Sequence, residues 1–155
     1  MMLHYKNNRF NIGGLSYALP EDIYMDTNFE RSLNNGFAFK SADKKLQVTI
    51  ETGNGECEEY FGSEEFRENS FDVVEISPFG YADIKGVSAI YYSKYNEYCE
   101  IRLNLPTPSD EESILIILIE AKRGEGPVRE AMKSECVINL LLSLRKEAPF
   151  LQFSE

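Results

Sequence analysis

The chain has 155 residues, of which 43% are hydrophobic and 12% aromatic. That suffices for one domain, read as residues 1–155 with a compact core over 9–145, and is too short for two comfortable ones. A net charge of -10, from 16 basic and 26 acidic side chains, repels phosphate backbones and argues against a nucleic-acid partner. The three cysteines, Cys57, Cys99 and Cys136, are far apart and odd in number, which excludes a zinc ribbon or a redox pair and suits reduced thiols in a cytoplasmic protein.

The opening MMLHYKNNRF has no apolar stretch of the kind a signal peptide needs. Residues 9–12 and 15–19 are apolar-rich and are separated by Gly13-Gly14, a hairpin signal because both glycines tolerate positive φ. Pro20 closes the second strand, and the polar stretch 21–35 reads as loop. Strands follow at 37–40 and 46–51. In the latter Leu46, Val48 and Ile50 alternate with Gln47, Thr49 and Glu51, which gives one buried face.

Residues 57–70 interleave Cys57, Tyr60, Phe61 and Phe66 with glutamates, predicting an amphipathic helix with a weak point at Gly62. From Glu51 to Glu75 there are nine acidic residues and one basic, Arg67. A strand at 71–76 is expected to stop at Pro78 and Gly80. Residues 83–86 read as a turn into a strand at 87–93, and 94–97 as a loop into 98–105.

The run 114–121 differs from every other strand-like segment. Ile114 to Ile119 are six consecutive apolar residues, the pattern of a strand covered on both faces. It belongs at the centre of a sheet and is too short to cross a bilayer. After it, Pro127 suits the first position of a helix over 127–144, in which Val128, Ala131, Met132, Cys136, Leu140, Leu141 and Leu144 recur at helical spacing. That helix and the acidic one at 57–70 are the expected two layers of cover.

The order of elements resembles the Mog1/PsbP-like fold. The matching segments are Leu15-Ser16-Tyr17-Ala18-Leu19-Pro20, the unit Ile84-Lys85-Gly86-Val87-Ser88-Ala89-Ile90-Tyr91-Tyr92, and Leu140-Leu141-Leu142-Ser143-Leu144-Arg145. The family's tryptophan after the proline has no counterpart, Tyr24 being the nearest aromatic. The resemblance implies an α+β fold, an α/β/α sandwich whose central antiparallel sheet of about six to seven strands carries helices on both faces. It also implies an accessory or binding role, and it transfers no functional residue to this chain.

Catalytic apparatus is sparse. His4 is the sole histidine, which removes histidine-based triads and multi-histidine metal sites. Gly13-Gly14 and Gly124-x-Gly126 lack the Lys-Ser/Thr of a phosphate loop. The glutamates at 56, 58, 59, 64 and 65 lack the spacing of a calcium loop. No cofactor or metal is expected.

The hairpin 87–105 is more informative. With Ser93 opposite Tyr98, Tyr92 faces Cys99 on the buried side, while Tyr91 faces Glu100 and Ala89 faces Arg102 on the other. Tyr91, Tyr98 and Arg102, with Tyr95 at the tip, then form a candidate partner-binding surface, Tyr and Arg being typical of binding hot spots. The leading expectation is a non-catalytic protein-interaction or accessory module. The alternatives are a small-ligand carrier and, third, a carboxylate-based hydrolase.

Overall fold

The computed structural model describes residues 4–6, 9–18, 23–41, 46–81, 84–123 and 143–146. Within these residues, eleven strands form two antiparallel sheets. The larger sheet has the order β4 (Ile23–Met25), β5 (Phe37–Ser41), β6 (Leu46–Gly53), β10 (Ile114–Lys122), β9 (Asn96–Asn104), β8 (Ile84–Tyr92), β7 (Asp72–Tyr81). The smaller has the order β1 (His4–Lys6), β2 (Arg9–Ile12), β3 (Leu15–Ala18), β11 (Arg145–Lys146). The apolar run at 114–121 is thus the middle strand of seven.

Among the described residues, the expected helices on both faces are not what covers it. Among the described residues, helix is confined to two single turns, α1 (Cys57–Tyr60) and α2 (Glu64–Arg67). The inner face of β10 presents Leu115, Ile117, Ile119 and Ala121 to the smaller sheet. Phe10, Ile12, Leu15 and Tyr17 from that sheet join them in one core, with Phe39, Val48, Ile50, Ile101 and Leu103 from the flanking strands. Phe10 stacks on Tyr17 at 5.3 Å and meets Phe37 and Phe39 edge-on. The α/β/α sandwich is therefore corrected to sheet packed on sheet, with the two helical turns covering only part of the opposite face. Apolar strands demand cover whatever its type, and a β-hairpin with alternating residues meets that demand as well as a helix does. The helix expected over 127–144 lies outside the described residues except for Ser143 and Leu144, of which Leu144 is buried in the core.

Local sequence explains the turns. Gly13 and Gly14 take φ of +56° and +86° between β2 and β3, as a two-residue hairpin requires. The helix expected over 57–70 breaks at Gly62, and Ser63 Oγ accepts from Phe66 N at 3.3 Å to start the second turn. Pro78 does not end its strand: β7 lies at the sheet's edge, where a proline is tolerated. A register shift between Val73 and Glu75 adds to the blunting of that edge.

The 87–105 hairpin has a tighter loop than expected. Asn96 already belongs to β9 and Ser93 N donates to Asn96 O at 3.0 Å. Tyr91 pairs with Tyr98 and Ala89 with Glu100, two residues from the expected register. An even offset leaves every side chain on its assigned face.

Candidate functional site

The outer face of the large sheet holds the site, and strand register lays it out as a grid. Across β6, β10, β9 and β8 one row is Gln47, Glu120, Tyr98 and Tyr91. The next is Thr49, Leu118, Glu100 and Ala89, and the third is Glu51, Ile116, Arg102 and Val87. Residues two apart on a strand share a face, so all twelve point the same way.

The helical turns cover the β8 side of this grid. Cys57, Phe61 and Phe66 bury against Val87, Ala89, Tyr91 and Ile114. Phe66 meets Tyr91 edge-on at 5.1 Å, and Phe71 lies 4.6 Å from the same ring. The described residues leave the β6–β10–β9 part open. It forms the floor of a cleft of about 600 Å³, walled on one side by Tyr60, Asn69 and Phe71 and on the other by Phe29 and Arg31. The Phe29 and Arg31 wall belongs to the connection from β4 to β5. That connection is tied back to β6 where Thr52 N donates to Asn34 O at 2.9 Å.

A polar trio is set into the floor. Tyr91 Oη donates to Glu100 Oε1 at 2.6 Å, and Arg102 Nε donates to Glu100 Oε2 at 2.5 Å. The Glu100 and Arg102 side chains are only 7% and 11% exposed. Arg102 Cζ also sits 3.3 Å from the centroid of the Tyr60 ring, a close cation–π contact. Burial, joined by the Glu100 charge, raises the Tyr60 and Tyr91 phenols above their ordinary value, and both are neutral at physiological pH. Ala89 directly opposite Glu100 is small, which suits the diagonal reach of the Tyr91 phenol.

Glu120 differs from the other acids of the cleft. Glu51 pairs with Arg31 at 3.3 Å and Glu100 with Arg102, but Glu120 has no ion pair or hydrogen bond among the described residues. It is half-buried, and burial raises its carboxyl above the ordinary value of 4.5, with the Arg31 charge opposing. A carboxyl whose pKa rises on folding weakens the fold when ionised. Below 4.5 both states are protonated and nothing is lost; the penalty grows as pH climbs through the raised folded value and is complete above it. Glu120→Gln is therefore expected to melt above wild type at neutral pH, with the gap closing as pH falls to 4.5. Thermal melts across that range check this, and a constant gap would contradict it.

The four residues singled out in the sequence are placed differently from one another. Tyr91 is 3% exposed and Arg102 9%, so both lie beneath or within the floor; Tyr98 is half-buried at its edge. Tyr95 is 70% exposed at the hairpin tip, with Lys94 Nζ 5.2 Å from its ring centroid, and takes no part in the cleft. Tyr60, Phe71, Gln47, Glu100 and Glu120 were not among those four. The first two arrive from a separate segment and carry no local signal. Glu120 had one: it is the only charge in the run from Ile114 to Ala121 and shares parity with Ile116 and Leu118.

Cys57 and Cys99 are buried, and burial pushes the Cys99 thiol up to about 12. Cys136 lies outside the described residues. Among those described, no three His, Cys, Asp or Glu side chains converge as a metal site, and no helix is long and apolar enough to cross a membrane.

No protein-family model matches the chain, and no curated protein matches it. Among solved structures, one similar chain is a crystal structure from Bacteroides thetaiotaomicron, with 15% identity and a TM-score of 0.43 over 94% of this chain and 50% of that one. The present chain spans about half the length of that neighbour, and a likeness of this degree carries no argument about function. None of these findings places the chain in the Mog1/PsbP-like family.

Proposed function

We propose that this protein is a non-catalytic binding module whose outer-face cleft takes a small organic ligand. The observation that supports this is the combination of an open, aromatic-walled cleft with a buried polar trio on its floor. Ligand sites combine apolar walls with a few fixed polar groups in this way. A buried ion pair adds little stability over apolar residues of the same volume, so the fold alone gives no reason for Glu100 and Arg102 to occupy that floor.

The acids of the cleft argue for binding over hydrolysis. A carboxylate-based mechanism needs one acid and one free base or nucleophile. Both oxygens of Glu100 are already engaged by Tyr91 and Arg102, and Glu51 is tied to Arg31. Among the described acids of the cleft Glu120 is left, and one carboxyl does not make the pair.

Filling the cleft tests the reading. Leu118→Trp enlarges a half-buried floor residue toward the open space. A small-molecule panel screened by thermal shift is expected to give compounds that stabilise wild type, by about 2.7 kcal/mol at a hundredfold excess over Kd, and fail to stabilise the folded variant. Equal stabilisation of both forms, or none of either, overturns the proposal.

A protein partner is the second reading, supported by Tyr95, which stands 70% exposed at the β8–β9 hairpin tip. It predicts that Tyr95→Ala loses a co-purifying partner without altering ligand binding.

A further inference from the structure

We infer that the end of the cleft where Glu120, Gln47 and Tyr98 meet binds a primary ammonium group carried by an organic ligand. This rests on the cleft being a ligand site and specifies what enters it.

Charge complementarity comes first. Among the described residues, five charged side chains line the cleft: Arg31, Glu51, Glu100, Arg102 and Glu120. Four of them neutralise one another in the pairs Arg31–Glu51 and Arg102–Glu100. The remaining charge is the Glu120 carboxylate, so the described lining carries one negative charge with no cation paired to it. Lys40 does not supply it, since it pairs with Asp26 at 3.6 Å. Lys122, two residues along the same face, is exposed and makes no ion pair with Glu120 among the described residues. Both lysines line a smaller adjacent cleft on the far side of Glu120.

Neighbouring acceptors then select the kind of cation. Glu120 stands opposite Gln47 on β6 and Tyr98 on β9. Gln47 Nε2 donates to Asp26 Oδ2 at 2.9 Å, a bond that also holds the Asp26 carboxyl below its usual range. With its nitrogen so engaged, the Gln47 amide has its oxygen left to offer, and no donor among the described residues takes it. Tyr98 Oη accepts from Asn96 Nδ2 at 3.3 Å and has a second lone pair. A carboxylate, an amide oxygen and a phenol oxygen are three acceptors for three N–H donors, which is what a primary ammonium carries.

Other ligand charges suit the place less well. A quaternary ammonium has no N–H for these acceptors. A hard metal ion needs several carboxylate oxygens, and here there is one such group. An anion meets Glu120 with like charge. The aromatic rings of Tyr98 and Phe71, 5.6 Å apart, extend from the acceptors and offer apolar and π surface to the ligand's carbon skeleton.

Benzylamine, benzyl alcohol and benzoate probe the inference, because they share a ring and differ in the charge and donors of one substituent. Binding to wild type and to Glu120→Gln at neutral pH is followed through backbone amide shifts at Gln47, Tyr98 and residue 120. Benzylamine is expected to bind at least about tenfold more tightly than the other two, and the substitution to remove about that factor for benzylamine alone. Benzyl alcohol or benzoate binding as well as benzylamine, or a benzylamine affinity unchanged by Glu120→Gln, overturns the ammonium assignment and leaves the cleft standing. Absence of any benzylamine shift at those amides also overturns it, while the Leu118→Trp screen decides the cleft independently.

Discussion

Gly86→Ala is expected to cost about 3 kcal/mol or more, enough to leave much of the chain unfolded at ordinary temperature. Gly86 lies on β8 opposite Leu103, and its φ is ordinary, so the constraint is space and not backbone conformation. A Cβ there would fall onto the carbonyl oxygen of Arg102 and within 2.9 Å of Leu103 Cα. Both are backbone atoms of a strand held in register by β8 on one side and β10 on the other. No side chain can rotate out of the way, so one of the two strands must move. Urea melts of Gly86→Ala against wild type measure the cost. A change under about 1 kcal/mol would mean that β8 can shift locally without disturbing β9, contrary to the behaviour of close-packed interiors. Gly55→Ala is the control, because no atom lies within 4 Å of the Cβ it would add, and its positive φ confines the cost to backbone strain.

The same position shows how much of the molecule is readable from sequence. Gly86 stands out in the sequence only as the end of a turn, yet Ile84 to Tyr92 is one continuous strand. Glycine is an ambiguous sign: it marks a turn where φ must be positive, as at Gly13-Gly14, and a close backbone approach where it need not be. Alternation was more reliable, because period two follows from strand geometry alone. It assigned Cys99, Ile101 and Leu103 to the core and Tyr98, Glu100 and Arg102 to the opposite face, and the two-residue register offset did not disturb that.

What alternation could not supply was the identity of the covering layers. The run at 114–121 signals burial on both sides, whether by helix or by sheet. Residues 9–18 show a hairpin, and nothing within them says that the hairpin folds over β10. The cleft was hidden for the same reason. Its floor comes from three strands and its walls from the segments around Phe29 and Phe71, which no local pattern connects.

Arg102→Met separates what the polar trio does for stability from what it does for binding. Met replaces the guanidinium with a side chain of similar length, so little packing is lost. Glu100, however, stays buried with only the Tyr91 hydroxyl as donor. Breaking a buried pair in this way is expected to cost about 3 kcal/mol, and Tyr60 loses the cation over its ring as well. The triple variant Arg102→Met, Glu100→Leu, Tyr91→Phe removes every member of the trio together and strands none of their charges or hydroxyls. It is expected to recover most of that loss, because the surroundings supplied by Phe66, Phe71, Val87 and Ile114 are already apolar. Denaturant melts of wild type, the single variant and the triple variant give both numbers. A triple variant as unstable as the single one would show that packing around Arg102, and not the stranded carboxylate, sets the cost. If the triple variant folds and no longer responds to the compounds that stabilise wild type, the trio is needed on the cleft floor for what it presents to a ligand. That outcome would also explain why a charged pair sits where an apolar one holds the sheet equally well.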